Sequence, residues 1–200
     1  LGSRSLIEKA KEAYWYPSEV DVSIRPGWFY HPEEDDKVRS LSNLVDIYFQ
    51  SVGRNSVLLL NIPPDTRGLL HENDVKRIKE LSCYLAKTFS TNYLKKGNKL
   101  WKAKEGESKE FIVKKGATIN TLLLQEDITK GQRVEEFLVE VFFNGKWQIL
   151  CKATTIGYKR LLRFNECKAE KIRITILSSR GEANIKNIGL YHAQQVKSNI

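Results

Sequence analysis

Aromatic, charged and imidazole side chains crowd into residues 15–31. Trp15, Tyr16, Trp28, Phe29 and Tyr30 share this stretch with Glu19, Asp21, Arg25 and His31. A core strand has no need of that mixture, but a sugar site does. Rings stack on the apolar face of a pyranose, and carboxylates or guanidinium groups take its hydroxyls in charge-assisted hydrogen bonds. Trp28 follows a short alternating strand and is the foremost candidate for a sugar contact. Arg25 and His31 are further candidates for substrate binding. The same residues also suit a buried aromatic corner closed by a Glu19–Arg25 salt bridge, and the residues alone leave both readings open.

Other chemistries find less in the sequence. Of the three histidines, His71 and His192 lie far from any Cys or Ser motif, and no HExxH, GxSxG, GxGxxG or P-loop pattern occurs. Neither a metal constellation nor a cofactor motif is found. Asp35 and Asp36 read as a solvated acidic turn and, at most, a weak Ca²⁺ site. Cys83, Cys151 and Cys167 give neither an even framework nor a CxxC spacing, so buried thiols are expected. A Cys151–Cys167 bridge between neighbouring strands stays open.

The elements that must hold these residues follow from periodicity. Leu6–Ala13 reads as a short helix that Tyr16-Pro17 breaks. Val20, Val22 and Ile24 alternate with Asp21 and Ser23 as a strand with one polar face. Pro26-Gly27 ends it and leaves Trp28–His31 in a loop. Ser40 is a plausible N-cap for a helix carrying Leu41, Leu44, Val45, Tyr48, Phe49 and Val52, with Gly53 placed to close it. Val57–Ile62 is a continuous apolar run of strand length, as in a parallel sheet covered on both faces. Asn61, at its end, is expected to satisfy loop backbone. Pro63-Pro64 and Asp65-Thr66-Arg67-Gly68 turn the chain into a second helix with Val75, Ile78, Leu81 and Leu85 on one face. This alternation belongs to a (β/α) barrel or a doubly wound sheet. Two strands alone leave both edges of a parallel sheet open.

Asn92–Gly97 reads as a linker, and beyond it the pattern is β. Seven strands are expected over 111–113, 118–124, 134–142, 147–153, 160–164, 172–177 and 185–191. Asn144-Gly145 is a type I′ hairpin signal. Lys171, Arg173 and Thr175 alternate with Ile172, Ile174 and Ile176, one face wet and one buried. Seven short, regularly spaced strands point to a β-sandwich. The fold class is therefore α/β plus all-β, divided at residues 1–94 and 95–200.

Composition narrows the partners. The chain has 200 residues, 41% of them apolar, and a net charge of +9. Residues 1–94 carry 12 Lys and Arg against 13 Asp and Glu, while the remainder carries 21 against 11. The basic residues are scattered through strands and turns, and no nucleic-acid-binding motif occurs, so a solvated basic face is the better reading. No run approaches a membrane span. The opening Leu1-Gly2-Ser3-Arg4, without Met, reads as an internal start, any targeting segment lying upstream.

Three blocks carry a resemblance. The run from Trp15 to His31 is similar to a signature of α-L-fucosidases, glycoside hydrolase family 29, in the subset selective for branched fucosides. Leu44-Val45, followed by Val52-Gly53-Arg54-Asn55-Ser56-Val57-Leu58-Leu59-Leu60-Asn61-Ile62-Pro63-Pro64-Asp65-Thr66-Arg67-Gly68-Leu69-Leu70, resembles that family's helix-to-strand block, with Arg54 in place of the second glycine of a pair. Leu123–Val134 together with Thr155–Arg160 resembles its C-terminal sandwich. The resemblance implies the C-terminal part of a (β/α)8-type barrel followed by a galactose-binding-like (discoidin-like) β-sandwich. It implies retaining hydrolysis of terminal α-L-fucose, α1-3 or α1-4 linked, on fucosylated oligosaccharides or glycoconjugates. Retention needs two carboxyl groups about 5–5.5 Å apart. The Asp nucleophile is expected upstream of Leu1, in the other part of the same barrel, and the acid/base either there or at Glu19. No cofactor is implied, and a periplasmic or secreted location is. The alternative is a non-catalytic carbohydrate-binding or structural β-sandwich module.

Overall fold

The computed structural model describes residues 6, 9–12, 18–95 and 100–196. Trp15, Tyr16 and Pro17 lie outside them, as do residues 7, 8 and 13 of the helix expected at Leu6–Ala13, and residues 9–12 form a turn and loop rather than helix. The described chain begins with two parallel strands, β1 (Glu19–Ser23) and β2 (Val57–Asn61), in register Glu19 to Val57 through Ser23 to Asn61. Helix α1 (Leu41–Gln50) connects them and α2 (Glu72–Thr88) follows β2. Ser40 caps α1, its hydroxyl accepting from the Asn43 N–H at 3.2 Å. Gly53 does not close the helix through a left-handed turn. It lies three residues past the helix, where it is needed for space: a Cβ there would collide with the Phe49 carbonyl and stand 2.9 Å from the Leu161 Cβ.

One face of the strand pair is uncovered. Val57 and Leu59 are half exposed, and their register partners Glu19 and Asp21 are exposed beside them. The apolar run of β2 was expected to be buried on both faces. Only its Leu58 and Leu60 side is sheltered, with Leu60 packing on the helices.

The rest is antiparallel β. One sheet has the order β3 (Trp101–Ala103), β10 (Ala183–Tyr191), β5 (Thr118–Glu126), β8 (Arg160–Lys168). The other has the order β4 (Ser108–Ile112), β9 (Lys171–Ser179), β6 (Val134–Phe143), β7 (Lys146–Thr154). Residues of both sheets, including Ile119, Leu122, Phe137, Ile174 and Ile185, share one buried core. The eighth strand, β3, escaped the periodicity reading because three residues are too short to show alternation. Asn144 and Gly145 both have positive φ, 50° and 75°, as a I′ turn between β6 and β7 requires.

Leu122-Leu123-Leu124 explains how the two parts join. Leu122 and Leu124 point into the core between the sheets, while Leu123 on the opposite face packs with Ile24, Leu44, Val45, Phe49 and Leu81. Leu161 and Tyr191 join the same cluster. Asn92–Lys95 is no loose linker. Asn92 and Tyr93 bond to the backbone of β10, and Leu94 pairs with Val113 and is buried. Glu126 is wholly buried, and its carboxylate accepts from the N–H groups of Arg133, Val134 and Gly157 at 2.7–3.1 Å. The three cysteines are free: Cys151 and Cys167, expected as a possible bridge, sit on strands of opposite sheets, and Cys83, expected buried, is exposed on α2.

Candidate functional site

Parallel strands deliver their following loops to one end of a sheet. Here the loops after β1 and β2, residues 24–35 and 62–71, lie together. The Ile24 N–H donates to the Asn61 carbonyl at 2.9 Å. The Asn61 side-chain amide donates to Ser23 Oγ at 3.1 Å and to the Trp28 carbonyl at 2.9 Å. One side chain therefore ties both strand ends to the backbone that carries Trp28. The indole is 50% exposed and Phe29 beside it 78%. Leu69 and Leu70 from the second loop are exposed as well.

Arg25 does not reach solvent. Its side chain is fully buried, with Nε donating to both Asp74 oxygens at 2.9 and 3.2 Å and Nη1 to Asp35 Oδ1 at 2.9 Å. Its guanidinium carbon lies 4.9 Å from the centre of the Tyr30 ring. Burial pulls its pKa down, but hydrogen bonds and charges from Asp74 and Asp35 outweigh that and the net shift is upward. The guanidinium is thus buried rather than open to solvent, its partners are Asp74 and Asp35 rather than Glu19, and its Nη2 is left without a hydrogen-bond partner. The cause is topological: Asp74 enters on the first turn of α2, 49 residues away.

Asp35 is the second anchor, not the solvated turn residue expected. Its Oδ2 accepts from the Tyr30 hydroxyl and lies 3.2 Å from His71 Nε2, and its carbonyl accepts from Asn73 Nδ2 at 2.9 Å. His71 Nδ1 accepts from the Asn73 N–H and caps α2, which leaves the proton on Nε2 facing Asp35. Burial, then the Asp35 charge, raises the Tyr30 pKa. In the second loop Asp65 accepts from Arg67 Nε and Nη2 and from the N–H groups of Arg67 and Leu69. The Arg67 side chain foremost, helped by those N–H groups, holds the Asp65 pKa at about 2 against burial.

His31 is exposed at the loop's outer edge, its Nδ1 3.9 Å from Glu33. Glu19 stands exposed at the opposite end of β1, roughly 13 Å of strand from Ser23. The structure thus brings Trp28 and Arg25 together, one outside and one beneath the same loop, and leaves Glu19 apart. Asp35, His71, Asp74 and the Asp65–Arg67 pair were not foreseen as a cluster. The available signals were weak: an acid three residues into a helix at Asp74, and an Asp before a Gly turn at Asp65.

Among the described residues no group of three or more His, Cys, Asp or Glu is placed to hold a metal ion. A cleft of about 390 Å³ lies elsewhere, between α1 and β8. Its charged groups are already paired, Asp46 with Arg163 at 2.7 Å and Glu166 with His192 at 2.8 Å. The loop face, with its free aromatic surface, is the better candidate.

The α-L-fucosidase family model matches residues 3–89. The chain is 34% identical to α-L-fucosidase 1 of Arabidopsis thaliana over 208 residues, covering 88% of this chain and 41% of that protein. It spans about 40% of the length of the curated relatives it matches. A crystal structure of a candidate α-L-fucosidase from Bacteroides ovatus is 55% identical with a TM-score of 0.96, over 100% of this chain and 34% of that one. The Ruminococcus gnavus GH29 fucosidase solved with fucose is 28% identical with a TM-score of 0.82, over 92% of this chain and 43% of that one. In sequence pattern and in fold the chain is thus similar to one part of α-L-fucosidases, a glycoside hydrolase family 29 enzyme among them.

Proposed function

We propose that this chain is the C-terminal portion of a retaining α-L-fucosidase that releases terminal α-L-fucose, α1-3 or α1-4 linked, from branched glycans. Residues 1–94 are then the last part of a (β/α)8-type barrel, and residues 95–200 a galactose-binding-like (discoidin-like) sandwich. The observation that carries the reading is the Trp28 loop. An exposed indole is fixed at the C-terminal end of a parallel strand pair, where barrel enzymes build their sites. Fucose is a 6-deoxy sugar, and its methyl group and apolar face suit an aromatic wall. A relative of the same fold was solved with fucose bound.

Within this reading the described residues bind and position, and the bond-breaking carboxylates come from the rest of the barrel. Asp35 and Asp74 are committed to Arg25, and Asp65 to Arg67. Glu19 lies at the far end of its strand, and we assign it no part in proton transfer. Arg25 holds the Trp28 loop onto α2 from beneath, and His31 is left for the outer rim of a larger glycan. The uncovered Val57 and Leu59 face and the open strand edges are where the remaining barrel would pack. The sandwich acts as a brace: Leu123, Leu161 and Tyr191 share a core with α1 and α2, and Arg163 joins Asp46 while lying 4.7 Å over Phe49.

The test is the stereochemistry of release. The complete protein, incubated with an aryl α-L-fucoside and followed by NMR, should give α-L-fucose first, which then mutarotates. Initial release of the β-anomer would overturn retention. A lack of turnover on aryl, α1-3 and α1-4 fucosides alike would overturn the fucosidase reading.

A further inference from the structure

The turn between α1 and β2 touches the sandwich through a pair of like charges. Arg54 and Arg160 are opposite each other in an isolated antiparallel bridge. The flanking bonds run from the Leu161 N–H to the Gly53 carbonyl at 2.9 Å and from the Asn55 N–H to the Lys159 carbonyl at 3.2 Å. That pattern makes Arg54 and Arg160 a non-hydrogen-bonded pair, the closer of the two antiparallel geometries, with side chains on one side. Like charges so placed repel. Elsewhere in the chain Arg25, Arg67, Arg163 and Arg173 each hold a carboxylate. Among the described residues neither Arg54 nor Arg160 has one. Arg160 Nε is moreover buried with no hydrogen-bond partner. Burial, then the charge of Arg54, lowers the Arg160 pKa, so its cation is held against both. Two cations on paired positions with no carboxylate between them leave a local excess of positive charge that an anion would offset.

We propose that Arg54 and Arg160 form a binding site for a tetrahedral oxyanion, of the kind presented by a sulfate or phosphate group. Two guanidinium forks on paired backbone positions would supply N–H donors suited to such oxygens. The site lies before the start of β2, at the opposite end of the parallel strands from the Trp28 loop, and stands independently of the fucosidase reading. A bound oxyanion would remove the repulsion at the bridge that joins α1 to β8.

Calorimetry on the complete protein tests this, with sodium sulfate titrated against sodium chloride at matched ionic strength. N-acetylglucosamine 6-sulfate and its unsulfated parent form a second arm. Saturable sulfate binding is expected, weakened about tenfold or more in Arg54→Gln and in Arg160→Gln. Arg54 is exposed, so Arg54→Gln should keep the fold, and without anion it should melt higher than the parent because the repulsion is gone. Tighter binding of the sulfated sugar than of sulfate would assign the site to a glycan ester. Sulfate binding without sugar binding would assign it to a free oxyanion. Lack of saturable binding for both anions, or binding that Arg54→Gln leaves unchanged, would overturn the site.

Discussion

Arg25 and Trp28 sit three residues apart on one loop, and the forces on them run in opposite directions. The Arg25 guanidinium is out of water and balanced by Asp74 and Asp35. Removing one side of a buried ion pair strands the other charge, at a cost of about 3–5 kcal/mol. Arg25→Ala should therefore lower stability by about that amount in a denaturant titration. A variant with normal stability and a raised KM would instead make Arg25 a direct substrate ligand. Asp65 gives a pH signature. Its folded pKa of about 2 lies below the ordinary 3.8, so its contribution is complete above the ordinary value and is lost as pH falls from there through about 2. Over that interval the parent should lose stability more steeply than Asp65→Asn, and parallel curves would show that the Arg67 contact contributes nothing. The sequence made some of this legible. Asn61, at a strand end, could be read as satisfying loop backbone, because strand ends leave carbonyls open. Asp35 and Asp74 could not be read as partners of Arg25. They lie on different elements, and only the crossover of α1 brings α2 beneath the β1 loop.

At the scale of elements, local signals held where local physics decides. Ser40 caps α1, and Asn144-Gly145 makes its turn, because each needs only its near neighbours. Gly53 was legible as a special position but for a different reason than its use. Its hydrogen atom is what lets the end of α1 approach β8. Gly53→Ala should force the helix end away from Leu161 and cost about 1–3 kcal/mol by denaturant midpoint, as overpacking does. An unchanged midpoint would mean that this contact is slack. The triple leucine of β5 was legible as a strand but not as a joint. Its middle residue faces outward, and outward-facing leucine is explained only once α1 and α2 are seen to cover it. Asn92–Lys95 misled for the opposite reason. Its polar composition suggests a linker, while the Asn92 side chain spends its hydrogen bonds on β10.

At the scale of the molecule, one sandwich core and one mixed cluster hold all but Ala193 of the buried apolar residues among those described. The uncovered strand face and the exposed aromatics of the β1 loop are apolar surface left outside both. The charge imbalance between the parts, visible from composition, proved diffuse: the basic residues of the sandwich are spread over strands and turns, several paired with carboxylates as Lys152 is with Glu136 and Arg180 with Glu135. The central claim is that the Trp28 loop forms part of a fucose site. The most direct measurement is a comparison of the complete protein with its Trp28→Ala variant, reading fucose affinity and melting temperature together. Loss of stacking and apolar contact should weaken fucose binding by about 1–3 kcal/mol while the melting temperature holds. Unchanged affinity for fucose, or a large fall in melting temperature with KM preserved, would contradict the account.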